Sequence, residues 1–89
     1  LRAHMSRHVP EEPAQGALRL TTWWCFPLQG SHWDGEYKTS KPDTDNLVKL
    51  LKDAMTDLGF WRDDAQGACE VICKYWAARP GIYMRLESL

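Results

Sequence analysis

Lys41-Pro42-Asp43-Thr44-Asp45-Asn46-Leu47-Val48-Lys49 leads into a helix, and Phe60-Trp61-Arg62-Asp63-Asp64-Ala65-Gln66 follows its exit. Between them Leu47, Leu50, Leu51, Ala54, Met55 and Leu58 recur at helical spacing, which predicts a helix over about 45–58 with one apolar face and a stop at Gly59. The stretch gathers carboxylates: Asp43 and Asp45 at the entry, Asp63 and Asp64 beyond the exit. If the helix folds back against neighbouring strands the two groups converge, and three oxygen donors around one point suit a hard divalent cation such as Mg²⁺. That points to phosphate chemistry. Lys49, at i+4 from Asp45, shares its face and can reach whatever Asp45 binds. The ordinary explanations are an N-cap for Asp43, Thr44 or Asp45, and an exposed helical charge for Lys49.

Leu1, Met5 and Val9 fall at i, i+4 and i+8, the end of a helix that Pro10 stops. After a linker over 11–16, Leu18, Leu20, Thr22, Trp24 and Phe26 alternate with Arg19, Thr21, Trp23 and Cys25, the period of a strand. Leu18, Leu20, Trp24 and Phe26 are expected on its buried face. Trp23 and Trp24 are candidates for base stacking, with core packing the commoner use of such rings. Residues 27–42 form a long loop, and Lys38 and Lys41 in it are the cations nearest the acidic motif, placed to hold a phosphate backbone. Residues 68–77 read as a strand with Cys69, Val71, Cys73 and Tyr75 inward. Arg79-Pro80-Gly81 is a turn, and 82–87 a last strand, the two making an antiparallel hairpin. The expectation is an α+β domain: a small mixed sheet, a central amphipathic helix with the acidic site at its N-terminus, and a C-terminal antiparallel strand pair.

The chain of 89 residues is sized for one domain that buries only part of its surface, so a second subunit would help to stabilise it. With a net charge of −1 there is no basic excess to announce a nucleic-acid partner. From Asp34 to Asp64 there are 8 carboxylates against 5 cations, a local acidity that metal ions would have to offset before a phosphate approached. Three cysteines at 25, 69 and 73 suit buried thiols in a reducing cytoplasm better than a disulfide framework. A zinc site drawing Cys69 and Cys73 together with His4, His8 or His32 lacks the close cysteine pairs that structural sites use. No stretch approaches a membrane span.

Lys-Pro-Asp-Thr-Asp-Asn-Leu-Val-Lys over 41–49, Asp-Ala-Met over 53–55 and Gly-Phe-Trp-Arg-Asp-Asp-Ala-Gln over 59–66 closely resemble the RusA-type Holliday junction resolvases of bacteria and their prophages. The resemblance implies a small homodimeric, Mg²⁺-dependent endodeoxyribonuclease that places paired nicks across a four-way DNA junction in recombination and repair, with no organic cofactor. It implies metal ligation and catalysis by Asp43, Asp45 and Asp64, with Asp63 a secondary ligand candidate and Lys49 the essential lysine. Lys38, Lys41, Lys49, Lys52 and Arg62 are the candidate DNA contacts. The chain is read as one such domain, 1–89, without the N-terminal strand that the family carries ahead of the first helix.

Asp-x-Asp also opens haloacid-dehalogenase phosphatases, but there it ends an apolar strand, whereas here Lys41-Pro42 precedes it. An EF-hand loop would need a central Gly and a terminal Glu that are missing. The alternative from another class is a non-catalytic, prophage-derived DNA-binding or structural dimer.

Overall fold

In the computed structural model, which describes residues 1–89, the alternating stretch becomes the middle of the molecule. Strand β1 (Leu18–Pro27) is flanked by β2 (Gly67–Ala77), which runs parallel to it, and by β3 (Gly81–Ser88), which runs antiparallel, so the sheet order is β2-β1-β3. A short helix α1 (Arg2–Met5) with a 3-10 turn (Ser6–His8) precedes the sheet, and helix α2 (Thr44–Leu58) joins β1 to β2. A parallel neighbour requires such a crossover, because two parallel strands cannot be joined by a tight turn. The α+β class, the mixed sheet and the central helix are as the sequence predicts. The last two strands do run antiparallel, but they do not pair as a hairpin: Ala78-Arg79-Pro80 passes over the end of β1 and delivers β3 to its far side.

The core lies between the sheet and α2. Leu18, Leu20 and Trp24 from β1 meet Val48, Leu51, Ala54 and Met55 from α2, and Phe60, Trp61 and Met5 close the ends. Truncating a side chain as enclosed as Leu51 to Ala costs roughly 2–5 kcal/mol in comparable cores. The polar atoms inside are paired, Trp24 Nε1 donating to Thr22 Oγ1 at 3.0 Å and Trp61 Nε1 to Thr56 Oγ1 at 2.7 Å. Gly59 ends α2 at φ 90, where its N–H meets the carbonyls of Met55 and Thr56, a left-handed conformation that a Cβ disfavours.

Two face assignments differ from expectation. On α2, Val48 is buried while Leu50 is 65% exposed, because the sheet-facing arc centres on Leu51 and Met55 and leaves Leu50 at its margin. On β2, the residues turned toward α2 are Glu70, Ile72, Lys74 and Trp76, since the parallel register sets Ile72 beside Thr22 and Trp76 beside Phe26. Cys69, Val71, Cys73 and Tyr75 therefore join Trp23 and Tyr83 on the opposite face, which no helix covers. Val71 is 43% and Tyr83 49% exposed there, and the Arg85 guanidinium lies 5.7 Å from the Trp23 ring centre. The cysteines are unpaired and half-buried, and burial, then the charge of Asp34, pushes the Cys25 thiol pKa up.

Candidate active site at the two ends of α2

The loop over 28–42 is held before it reaches the helix. Its return strand-wise along the free edge of β2 is fixed by Gly35 N–H donating to Trp76 O, Trp76 N–H to Glu36 O and Lys38 N–H to Lys74 O. Two lysines then grip the backbone ahead of Asp43. Lys38, only 9% exposed, lies over the Phe26 and Trp76 rings and donates to Ser40 Oγ at 2.5 Å and Lys41 O at 2.7 Å. Lys74 donates to Ser40 O and Pro42 O, both at 2.7 Å. The Lys41–Pro42 peptide is cis.

The carboxylates of the entry stay at the surface. Asp43 occupies the N-cap position, yet its side chain makes no capping bond and instead accepts from exposed Lys41 Nζ at 3.0 Å. Asp45, in the first turn, is exposed and makes no ion pair. Carboxylates here are favoured by the partial positive charge of the helix N-terminus. Lys49 is exposed on the same side and also unpaired, while Lys52 is tied to Glu70 of β2 at 2.5 Å.

The exit turn is built differently. Asp63 caps the 3-10 turn Asp64–Gln66 by accepting from Ala65 N–H at 2.9 Å, and Gln66 Oε1 reciprocally accepts from Arg62 N–H and Asp63 N–H. Gln66 Nε2 also reaches Ala14 O and Gly16 O, pinning the linker that feeds β1. Asp64, beside it, is exposed with no ion pair. Asp63 and Asp64 line a polar cleft with Asp53, Thr56, Asp57, Arg2 and Arg62, across which Arg2 pairs with Asp57 at 2.6 Å.

The expected convergence of the two acidic groups does not occur within one chain. Helix α2 runs opposite to β2, the Lys52–Glu70 pair marking their midpoint, so the entry sits by Lys74 and the exit by Gly67. At about 1.5 Å per residue the 15 residues of α2 span about 22 Å. The seven steps from Gly67 to Lys74, at about 3.3 Å each, give about 23 Å. No three His, Cys, Asp or Glu side chains come together as a metal shell. Asp43 with Asp45, and Asp64 with Asp63, are two half-sites, and one chain does not fit a single ion held by Asp43, Asp45 and Asp64.

Of the other expected contacts, Lys41, Lys49 and Arg62 are exposed, but Lys38 is turned inward and cannot serve a phosphate, its ammonium being consumed by the loop. Sequence reasoning missed the roles of Lys74 and Gln66. The signal for Lys74 was a lone cation inside the apolar run Val71 to Ala77.

The family described as Endodeoxyribonuclease RusA matches residues 1–87. The chain is 34% identical over 68 residues to the crossover junction endodeoxyribonuclease rusA of Lactococcus phage r1t, covering 74% of this chain and 52% of that protein. It is 26% identical over 95 residues to the uncharacterized protein YqaN of Bacillus subtilis (strain 168), covering 94% of this chain and 66% of that one. The chain belongs to the RusA endodeoxyribonuclease family. It spans between half and two thirds of the length of these relatives.

Proposed function

We propose that this chain is a Mg²⁺-dependent, structure-specific endodeoxyribonuclease that resolves four-way DNA junctions by paired phosphodiester hydrolysis, as a homodimer, in cytoplasmic recombination and repair. The observation that carries the reading is the clamp at the helix entry. Lys38 and Lys74 hold the carbonyls of 40–42 and so fix where the helix begins, and there Asp43 and Asp45 face solvent, Asp43 without a capping bond. Family membership supports the same reading. Hard oxygen donors of this kind suit Mg²⁺, which when bound would neutralise nonbridging phosphate oxygens and activate water.

The chain's own groups have separable tasks. Lys49, unpaired and on the face of Asp45, supplies a positive charge where the phosphate becomes more negative. Lys41 and Arg62, exposed near the two acidic ends, hold the DNA backbone. Lys38 and Lys74 position the motif and touch no DNA. Asp64, a helix length from Asp43 and Asp45, adds a free carboxylate at the other end of α2, and Asp63 shapes the turn that presents it.

Cleavage of a labelled four-way junction in Mg²⁺, compared with a linear duplex of the same sequence, tests the proposal. Symmetric nicks in the junction alone are expected. The split of the carboxylates within one chain favours a second reading, a non-catalytic DNA-binding or structural dimer, and an intact junction that is nevertheless bound would establish it.

A further inference from the structure

Lys41 and Arg62 meet phosphates, which a linear duplex and a four-way junction offer alike, so they do not tell the two apart. What a duplex hides is the flat face of a base, uncovered only where stacking is interrupted. A group that selects the junction has to present a free aromatic face near the acidic entry. Neither ring that the alternation of β1 puts forward for stacking does so: Trp24 is buried, and Trp23 is half-buried in the sheet with the Arg85 guanidinium over it. Trp61 and Trp76 are buried too. Trp33, in the loop over 28–42, is 65% exposed, and its indole makes no hydrogen bond, ring stack or cation contact. Tyr37 is as exposed, but one face of its ring already lies against Tyr75.

The backbone around Trp33 is fixed on both sides. The His32 ring stacks on Trp76 at 4.1 Å, and Glu36 Oε1 lies 2.9 Å from His32 Nδ1 while accepting from Trp33 N–H at 3.2 Å. Asp34 Oδ1 accepts from Ala78 N–H at 2.9 Å, and Gly35 N–H donates to Trp76 O at 2.8 Å. An apolar ring held in water on a fixed loop has little freedom left to lose when a base stacks on it. The negative charges of Asp34 and Glu36 beside it disfavour a phosphate and leave a neutral base as the fitting ligand. Gly35 is bonded at Trp76 and the Pro42 carbonyl at Lys74, two residues or about 7 Å apart along β2. Trp33 and the entry carboxylates thus share one end of the molecule, a few nucleotide steps of about 3.4 Å apart.

We infer that Trp33 is a stacking platform for a base uncovered at the centre of the four-way junction, and that it confers preference for the junction while Lys41 and Arg62 hold either DNA. The inference rests on the reading of the chain as a junction nuclease and adds the residue that selects the structure.

Binding without Mg²⁺ to a four-way junction and to a linear duplex of the same sequence tests it. Trp33→Ala should weaken junction binding about tenfold, the order of one base–aromatic stack, and leave duplex binding within about twofold. Trp33→Phe keeps a π-face and should restore most of the loss, whereas Trp33→Leu keeps only apolar bulk and should not. 2-Aminopurine placed at the crossover should change its emission on binding the unaltered chain and not on binding the Trp33→Ala variant. Melting temperatures should stay unchanged, since the ring is exposed and unbonded, so lost binding is not lost fold. Equal weakening on junction and duplex, rescue by Leu as full as by Phe, or junction binding indifferent to Trp33→Ala would each overturn the inference. The nuclease reading fails separately. A chain that prefers junctions through Trp33 yet leaves them uncut in Mg²⁺ loses that reading and keeps the platform; a Trp33→Ala variant that binds and cuts junctions normally keeps the reading and loses the platform.

Discussion

At the entry of α2 cations satisfy the backbone and the carboxylates are left over; at its exit a carboxylate satisfies the backbone and its neighbour is left over. Lys38 and Lys74 take up the carbonyls of 40–42, and Asp43 beyond them makes no capping bond. Asp63 with Gln66 takes up the amides of the exit turn, so Asp64 is free. The two ends teach that adjacent acidic residues divide their duties, and that division is visible in which hydrogen bonds each makes. A carboxylate without an internal partner is the better candidate for a ligand, because removing it costs the fold little.

The largest expected break comes from Asp45→Asn. Were Asp45 structural, Asn would serve nearly as well as a helix-terminal side chain and activity would persist. With Asp45 as a ligand, junction nicking should fall by at least about a hundredfold, since a charged oxygen donor is lost. Junction binding without Mg²⁺ should stay equal or tighten, because one negative charge facing DNA is removed. Gel-shift and single-turnover cleavage on the same preparation read both.

Lys49→Ala sharpens the entry half. Its unpaired ammonium is expected to act on the reacting phosphate, so the cleavage rate should drop about tenfold to a hundredfold while affinity changes much less, one phosphate contact among many. Equal losses in rate and affinity would make Lys49 a DNA-positioning group. Lys74→Met tests the clamp instead. It leaves two carbonyls without their donor, at about 1–3 kcal/mol where such groups are buried, and should lower thermal stability and activity together. Lys41→Ala, by contrast, removes an exposed pair and should leave stability unchanged.

The elements were legible because their signals are local. Alternation over 18–26, the apolar spacing from Leu47 to Leu58 and the stop at Gly59 each name a structure without reference to the rest of the chain. Strand order was not, because the same alternation serves a hairpin partner and an edge across β1. Lys38 and Lys74 read as solvent-facing by type, yet a long stem lets an ammonium lie over rings and still find carbonyls. The separation of the half-sites does have a signal in the sequence. Only a few residues lie between the end of α2 and the turn carrying Asp64, so that turn must stay near the helix exit while Asp43 lies a full helix length away.

The smallest effect distinguishes the two neighbours at the exit. Asp63→Ala removes an N-capping acceptor, which costs about 0.5–2 kcal/mol in comparable helices. In a domain of this size about 1 kcal/mol lowers the melting temperature by roughly 4–8 °C. Asp64→Ala removes a carboxylate with no internal partner and should leave the melting temperature nearly unchanged while abolishing cleavage. Melting curves in EDTA, where no metal contributes to stability, isolate the folding term. The pair of variants should therefore cross: the less stable Asp63→Ala keeps measurable nicking, and the stable Asp64→Ala has none. If both lose stability alike, Asp64 belongs to the turn with its neighbour, and the exit half of the site has no free carboxylate to offer.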